Sequence, residues 1–184
     1  MLNIARTLPR SAVNGPGERF VVWVQGCSIR CPGCWNPDTW SHRSKVTVSA
    51  ADLVSSIIRT SGIEGVTLTG GEPFEQAFEL ALVASSVREA GLSVMAYTGY
   101  ELEELTAAAQ RSLLRLCDIV VAGRYRQRER TLALAWRGSS NQRVYFLNER
   151  YGPASMPDRA ECEVHIAADG SVTLTGFPPS ALVE

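Results

Sequence analysis

The sequence predicts an α/β protein built on a parallel sheet, and two observations carry this prediction. Four short runs rich in β-branched and aromatic residues are typical of strands: residues 19–26, 65–70, 92–99 and 118–123. Helical patterns lie between them, and from the second run onward the strands begin about 27 residues apart, the length of a βα unit. Four such units are too few for a closed eight-stranded barrel. We therefore predict a single domain over residues 1–184, with a partial (open) parallel β/α barrel.

Three helices and a hairpin complete the predicted elements. Residues 49–60 begin with Ser49 and carry Asp52 three residues later, a capping-box pattern. Residues 74–91 have helical apolar spacing and end at Gly91, which suits the first position beyond a helix. Residues 101–117 form the third helix, with an acidic first turn that complements the helix dipole. Near the end, residues 164–177 predict a β-hairpin that turns at Asp169–Gly170.

The composition excludes several classes of function. The chain has 184 residues, 45% of them hydrophobic, and a formal net charge of −1, so it lacks the basic footprint of a protein that binds nucleic acid or an anionic membrane. Five cysteines, three of them in one loop, do not suit a disulfide framework. No signal-peptide pattern or long apolar segment occurs. We expect a cytoplasmic protein.

The unusual residues of the sequence follow the four strands. A cysteine-rich loop comes after the first strand, TGGEPF (69–74) after the second, YTGY (97–100) after the third, and AGRYR (122–126) after the fourth. The carboxyl ends of parallel strands meet at one edge of a sheet, where α/β proteins build their sites. We therefore predict one active site formed by four loops.

The first of these loops contains Cys27, Cys31 and Cys34 in the spacing C-x3-C-x2-C. A [4Fe–4S] cubane is normally held by four cysteines, so three thiolates leave one iron free to bind a substrate or cofactor. This arrangement is the preferred interpretation. The alternatives are a structural or redox-sensing trio, or a zinc site. Zinc would take a fourth ligand from His42, Asp38, Cys117 or Cys162.

The cysteine motif resembles the signature of the radical S-adenosylmethionine (radical SAM) enzymes. The longer string NGPGERFVVWVQGCSIRCPGCWNPDTW is similar to the activating enzymes of glycyl radical proteins, most of all to those that activate anaerobic ribonucleotide reductases. The likeness continues through TLTGGEPFEQ, AYTGYELEEL, WRGSSNQRV and the closing TGFP, over about residues 12–178.

This resemblance implies a cofactor set and a reaction. The three cysteines would hold a [4Fe–4S] cluster, and the amino and carboxylate groups of SAM would bind the free iron. One electron would then cleave SAM to methionine and a 5′-deoxyadenosyl radical, which abstracts hydrogen from the substrate. In this scheme the cofactors carry the difficult chemistry, and the protein supplies ligation, orientation and exclusion of water.

The resemblance also nominates residues that contact SAM. Gly70 and Gly71 free the main chain to approach a ligand, and Glu72 would meet the methionine ammonium; the alternative for Gly70–Pro73 is a plain turn into a helix. The main chain of Trp35 would meet the adenine, or its ring would simply anchor the loop.

Further contacts are predicted after the third and fourth strands. Thr98, Gly99 and Tyr100 suit a ribose or carboxylate contact, or alternatively a turn stabilised by the threonine hydroxyl. Asn141, beside Gln142, would hydrogen-bond SAM or a partner, or cap a turn.

The end of the fourth strand departs from the family pattern. The activating proteins usually carry Val-Asp-Gly there, whereas this chain has Val-Ala-Gly, with Ala122 in place of the acid that accepts ribose hydrogen bonds. We expect Ala122→Asp to tighten SAM binding, and Arg124 to pair with the SAM carboxylate. The arginines of residues 124–130 are either a solvated face or a docking surface near the site.

The resemblance favours an enzyme that acts on a protein. The expected substrate is a glycine of a partner glycyl radical enzyme, and the expected electron source is a flavodoxin or a ferredoxin-like donor. A second hypothesis is a radical SAM enzyme that modifies a peptide or small metabolite directly. A third is a non-enzymatic iron–sulfur or zinc-binding interaction module.

Overall fold

The buried runs of β-branched residues form the centre of a seven-stranded sheet in a computed structural model, which describes residues 1–179. The last five residues of the predicted domain lie outside the described residues. The strands of this sheet are β1 (Leu2–Ser11), β2 (Arg19–Val24), β3 (Val46–Val48), β4 (Gly65–Gly70), β5 (Ser93–Thr98), β6 (Ile119–Ala122) and β7 (Arg143–Phe146). Two further strands, β8 (Cys162–Ile166) and β9 (Val172–Gly176), form a separate hairpin.

The order of the sheet is β3-β1-β2-β4-β5-β6-β7. Strands β2, β4, β5 and β6 are parallel neighbours in sequence order, whereas β1, β3 and β7 pair antiparallel at the two sides. The mixed α/β architecture, the parallel centre and the C-terminal hairpin are therefore confirmed. The barrel curvature stays a prediction. The antiparallel strands β1, β3 and β7 were not predicted; β1 contains Pro9, which is uncommon inside a strand, and β3 has only three residues.

Helix α1 (Ala50–Arg59) begins and ends as the sequence indicates. Helix α2 (Ala77–Glu89) ends as predicted but begins at Ala77 and not at Phe74, because a 3-10 turn covers Pro73–Gln76. The Ser49 hydroxyl accepts a hydrogen bond from the Asp52 amide at 3.0 Å, which confirms the predicted cap. Gly91 has φ +83°, and the amide of Leu92 donates to the Val87 carbonyl at 3.1 Å. This is a Schellman ending, for which glycine is preferred.

The predicted third helix is divided. A 3-10 turn covers Leu102–Glu104, and α3 spans Ala108–Leu116. Ala107 between them has extended backbone (ψ 147°), because it is the residue before the first turn of α3, and Leu105 is buried. A continuous helix over residues 101–117 is therefore wrong.

The two faces of the sheet have different neighbours. The larger core cluster joins one face to the helices through residues such as Ile57, Leu80 and Leu113. A smaller cluster on the other face contains Met95, Ile119 and Val121. Because alternate residues of a strand point to opposite faces, β6 sends Val120 and Ala122 toward the helices. The opposite face, against which none of α1, α2 and α3 packs, is called the helix-free face and remains available for a site.

This alternation bears on the expectation for position 122. Ala122 is fully buried in the helix-side cluster, so an aspartate there would place a carboxylate among apolar residues, and its effect on SAM binding stays a prediction. No helix within residues 1–179 has the length and apolar character needed to cross a membrane.

We predict that Ala122→Asp destabilises the protein by about 3–5 kcal/mol, because a buried carboxylate would lack a counter-charge. Urea unfolding followed by circular dichroism measures this change. The control is Ala107→Asp, an exposed position before α3, where aspartate caps the helix and should be neutral or slightly stabilising. Unchanged stability of Ala122→Asp, together with tighter SAM binding, would restore the original expectation.

Candidate active site

The loops at the carboxyl ends of the parallel strands surround a cavity of about 300 Å³. It opens on the helix-free face, where the alternate strand residues Trp23, Thr69 and Tyr97 line it. Nine of the predicted site residues also line it: Cys27, Cys31, Cys34, Trp35, Gly70, Gly71, Glu72, Thr98 and Gly99. Gly123 and Tyr125 of the fourth loop line the cavity as well, so the structure brings all four predicted loops to one place.

The cysteine loop is fixed by main-chain hydrogen bonds at both ends. The Cys27 amide donates to the Trp40 carbonyl at 3.2 Å, and the Cys34 amide donates to the Cys31 carbonyl at 3.1 Å. All three cysteines are free thiols; Cys27 is buried and the other two are half-buried. The Asn36 amide donates to the Cys34 sulfur at 3.4 Å.

Burial raises the pKa of the Cys27 thiol, although main-chain amides at Ile29 and Arg30 oppose this effect. Burial likewise raises the pKa of Cys31.

Within residues 1–179, no three histidine, cysteine, aspartate or glutamate side chains converge on a point that would hold a single metal ion. A [4Fe–4S] cubane does not require three ligands to converge on one point, because each thiolate binds a different iron. Three thiols on one loop at a cavity fit such a cluster.

The Gly70–Gly71 pair brings the second loop against the first. Gly70 has φ +95°, which favours glycine, and a β-carbon on Gly71 would collide with the carbonyl oxygen of Gly26. This close approach allows two hydrogen bonds: the Gly71 amide donates to the Val24 carbonyl at 2.9 Å, and the Glu72 amide donates to the Gly26 carbonyl at 2.8 Å. The glycines therefore position the cysteine loop as well as the cavity wall.

Glu72 connects the second loop to the third. Its buried carboxylate accepts hydrogen bonds from the Phe74 amide (2.9 Å), the Thr98 hydroxyl (2.9 Å) and the Gly99 amide (2.8 Å). Burial raises the pKa of Glu72 to about 7, and the three donors oppose that rise. Thr98 and Gly99 thus serve first as partners of Glu72.

Glu75 is a residue that the sequence analysis missed. Its carboxylate accepts a hydrogen bond from the amide of Ser28, next to Cys27, at 2.8 Å, and its other oxygen lies 2.8 Å from His42 Nε2. A short 3-10 turn (Pro73–Gln76) places Glu75 three residues beyond Glu72. That proximity in the motif was the only available signal, because its partners come from other parts of the chain.

Trp35 is packed from several directions. The Arg130 guanidinium lies 4.3 Å from the centre of the ring, and the rings of Phe177 and Tyr125 pack at 5.9 and 6.3 Å with edge-on geometry. The packed ring thus anchors the loop, and Trp35 also lines the cavity, whereas a contact between its main chain and adenine stays a prediction.

Three cavity-lining residues carry buried polar atoms that have no partner among the described protein atoms: Trp35 Nε1, Trp40 Nε1 and the Tyr97 hydroxyl. Burial also raises the pKa of Tyr97 well above its ordinary value, so this hydroxyl keeps its proton. Buried polar groups are normally hydrogen-bonded, so these three donors in the wall of one cavity are exceptions. Tyr97 lies two residues after Met95 in β5, so the sequence already indicates that both side chains point to the same face of the strand. No local sequence pattern indicated that Trp40 would reach the cavity.

Four predicted contacts lie outside the lining of this cavity as residues 1–179 define it: Pro73, Tyr100, Arg124 and Asn141. Arg124 forms two hydrogen bonds with Glu104, at 2.7 and 2.9 Å, and lies over the ring of Tyr100. Asn141 donates to the Arg124 carbonyl at 2.9 Å. Its neighbour Gln142 does line the cavity and donates to the Gly123 carbonyl at 3.1 Å. The assignment of these four residues to SAM stays a prediction.

The burial of Glu72 predicts a pH dependence of stability. Because folding raises the pKa of this carboxyl from 4.5 to about 7, the folded state holds its proton more tightly than the unfolded state does. The free energy of unfolding should therefore fall as the pH rises between these two values. We predict that Glu72→Gln, which cannot ionise, gains stability relative to the wild type over this interval. Urea titrations of the metal-free proteins across the interval measure the difference, and parallel pH profiles would contradict the prediction.

Comparison with known proteins agrees with this geometry. A family model described as a 4Fe-4S single cluster domain matches residues 13–145, which include the three cysteines and all four parallel strands. Proteins named anaerobic ribonucleoside-triphosphate reductase-activating protein are similar over most of the chain. The one from Enterobacteria phage T4 is 35% identical over 150 residues, which are 78% of this chain and 94% of the relative.

Two bacterial relatives with the same name show comparable similarity. The Salmonella typhi protein is 38% identical over 147 residues (76% of this chain, 95% of the relative). The protein of Escherichia coli K12 is 34% identical over 154 residues (79% of this chain, 99% of the relative). The chain therefore belongs to the 4Fe-4S single cluster domain family and, within it, to the anaerobic ribonucleoside-triphosphate reductase-activating proteins.

Proposed function

We propose that this chain is a radical SAM activating enzyme that removes a hydrogen atom from a glycine of a partner glycyl radical enzyme. One observation carries the proposal: three free thiols on a single loop line a cavity where four parallel strands end. The names of the relatives add the class of partner, since each is called an activating protein of an anaerobic reductase.

Cys27, Cys31 and Cys34 would hold the [4Fe–4S] cluster, leaving one iron for the amino and carboxylate groups of SAM. When bound, this cofactor supplies one electron that cleaves SAM to methionine and a 5′-deoxyadenosyl radical. We assign this chemistry to a single domain with an open β/α barrel. We assign the protein to the cytoplasm, where cysteine thiols stay reduced.

The chain's own residues orient the reactants and keep water away. Trp35 and Tyr97 form part of the cavity wall. Glu72 is held by three donors, so its carboxylate has a fixed position at the cavity wall. We infer that a ligand ammonium placed there keeps Glu72 ionised, because a nearby positive charge lowers the pKa of a carboxyl. A fixed carboxylate of this kind costs little reorganisation when the ligand binds.

The substrate would be a segment of the partner protein. A primary carbon radical must be shielded from solvent, and a partner segment that enters the cavity mouth provides that shield. The remaining cysteines of the chain, Cys117 and Cys162, are separate from the cysteine loop, and Cys117 is buried at the end of α3. We therefore infer that the reducing electron comes from an external flavodoxin or ferredoxin-like donor.

The cysteine assignment predicts a loss of iron in serine variants. We expect the wild type, reconstituted without oxygen, to bind roughly four irons and Cys34→Ser to lose most of them, since a serine oxygen is a poor cluster ligand. The matched control is Cys162→Ser, a half-buried cysteine outside the cavity lining, which should retain full iron content.

The same proteins test the reaction. With dithionite, SAM and the anaerobic reductase, the wild type and Cys162→Ser should release 5′-deoxyadenosine and generate a glycyl radical doublet in electron paramagnetic resonance, whereas Cys34→Ser should do neither. A Cys34→Ser variant with normal iron content and normal product would contradict the assignment.

A further inference from the structure

The C-terminal hairpin exposes a strip of apolar side chains. Val164, Ile166 and Val172 are 55%, 74% and 64% exposed. Ile166 pairs directly with Val172, and Val164 pairs with Leu174, so these four residues share one face of the hairpin. We call Val164, Ile166 and Val172 the hairpin strip. Isolated exposed apolar residues are ordinary on protein surfaces, but neighbours on one face of a small sheet are typical of a binding surface.

The hairpin strip continues into the cavity. Leu174, which lies opposite Val164, lines the cavity, and so do Phe177 and Pro178 just beyond the end of β9. A chain that lies along the strip therefore has an apolar path from the tip of the hairpin to the cavity that holds the three cysteines.

The opposite face of the hairpin is anchored to the rest of the protein. Glu163 accepts hydrogen bonds from the Ser11 hydroxyl (2.6 Å) and the Ala12 amide (2.9 Å). The Asn14 side chain donates to the Thr175 hydroxyl at 2.8 Å. Because these contacts fix the hairpin from one side, its apolar face is presented without further ordering, which lowers the entropic cost of binding.

The edges of the hairpin also suit an extended peptide. In the described part of the chain, β8 and β9 pair only with each other. Each therefore keeps an outer row of main-chain donors and acceptors. An extended segment can use such an edge for hydrogen bonds while its alternate side chains contact an apolar face.

We propose that the hairpin strip docks an extended segment of the partner reductase and guides its glycine into the cavity. This inference rests on the proposed function, which requires a partner segment to reach the cavity mouth. The continuity of the strip with the cavity selects that segment as the occupant, because an occupant unrelated to the reaction would not need a path to the cysteines. The proposal assigns a recognition role to residues that lie beyond the 13–145 region of the family match.

The test uses Ile166→Lys and Val172→Lys, two separate exposed positions on the strip. The matched control is Phe78→Lys, an apolar residue of α2 that is 66% exposed on the helix side of the sheet. Each reconstituted protein is measured for reductase affinity, for glycyl radical yield and for 5′-deoxyadenosine released with dithionite and SAM in the absence of the reductase. Each strip variant should bind the anaerobic reductase about tenfold more weakly, because lysine replaces an apolar side chain that the complex would bury.

We expect the strip variants to lose glycyl radical yield while their release of 5′-deoxyadenosine without the reductase stays at the wild-type level. Phe78→Lys should match the wild type in all three measurements. Equal reductase affinity for the wild type and both strip variants would overturn the proposal. The proposal would also be overturned if sedimentation showed that the wild type is a dimer and that the strip variants are monomers with unchanged reductase affinity. A wild type that releases no 5′-deoxyadenosine would instead contradict the proposed function, and the affinity comparison would still decide the docking site.

Discussion

The site depends on a close main-chain contact between two loops. Gly71 lies against Gly26, where a β-carbon would collide with the Gly26 carbonyl oxygen, and the amides of Gly71 and Glu72 donate to the carbonyls of Val24 and Gly26. These hydrogen bonds continue the β2–β4 pairing beyond the strands and hold the beginning of the cysteine loop. Cys27 follows directly after this contact. The location of the first thiol is thus set by the sheet itself and not by a mobile loop.

A second layer of contacts carries that order outward. Glu72 binds the end of β5 through Thr98 and Gly99, and Glu75 binds the Ser28 amide in the cysteine loop. Two carboxylates of one short turn therefore connect three of the four site loops. The burial that raises the pKa of Glu72 also makes it rigid, because moving the group would break three hydrogen bonds in an apolar setting. Rigid support of this kind is what a site needs when it must hold a reactive ligand in one orientation.

Much of this arrangement could be predicted from local sequence signals. The cysteine spacing, the glycine pair and the strand patterns each act over a few residues, and they placed nine site residues at one cavity. Arg124 shows where such signals fail, since its pairing with Glu104 joins residues that are far apart in sequence. Tyr97, Trp40 and Gln142 reach the cavity from three different parts of the fold, so their convergence is a tertiary property. The side-chain direction at Ala122 follows from strand alternation, yet it needs the position of the helices to show which face is apolar core.

The central claim is that a radical made in this cavity takes hydrogen from a glycine of the partner protein. It is tested most directly with an anaerobic reductase whose glycines are deuterated at the α-carbon, incubated with the reconstituted enzyme, SAM and reductant. Mass spectrometry of the nucleoside product then follows the label. The account predicts one deuterium in 5′-deoxyadenosine, together with collapse of the glycyl radical doublet in electron paramagnetic resonance. Unlabelled 5′-deoxyadenosine, formed without a protein radical, would contradict it and favour a peptide or small metabolite as the hydrogen donor.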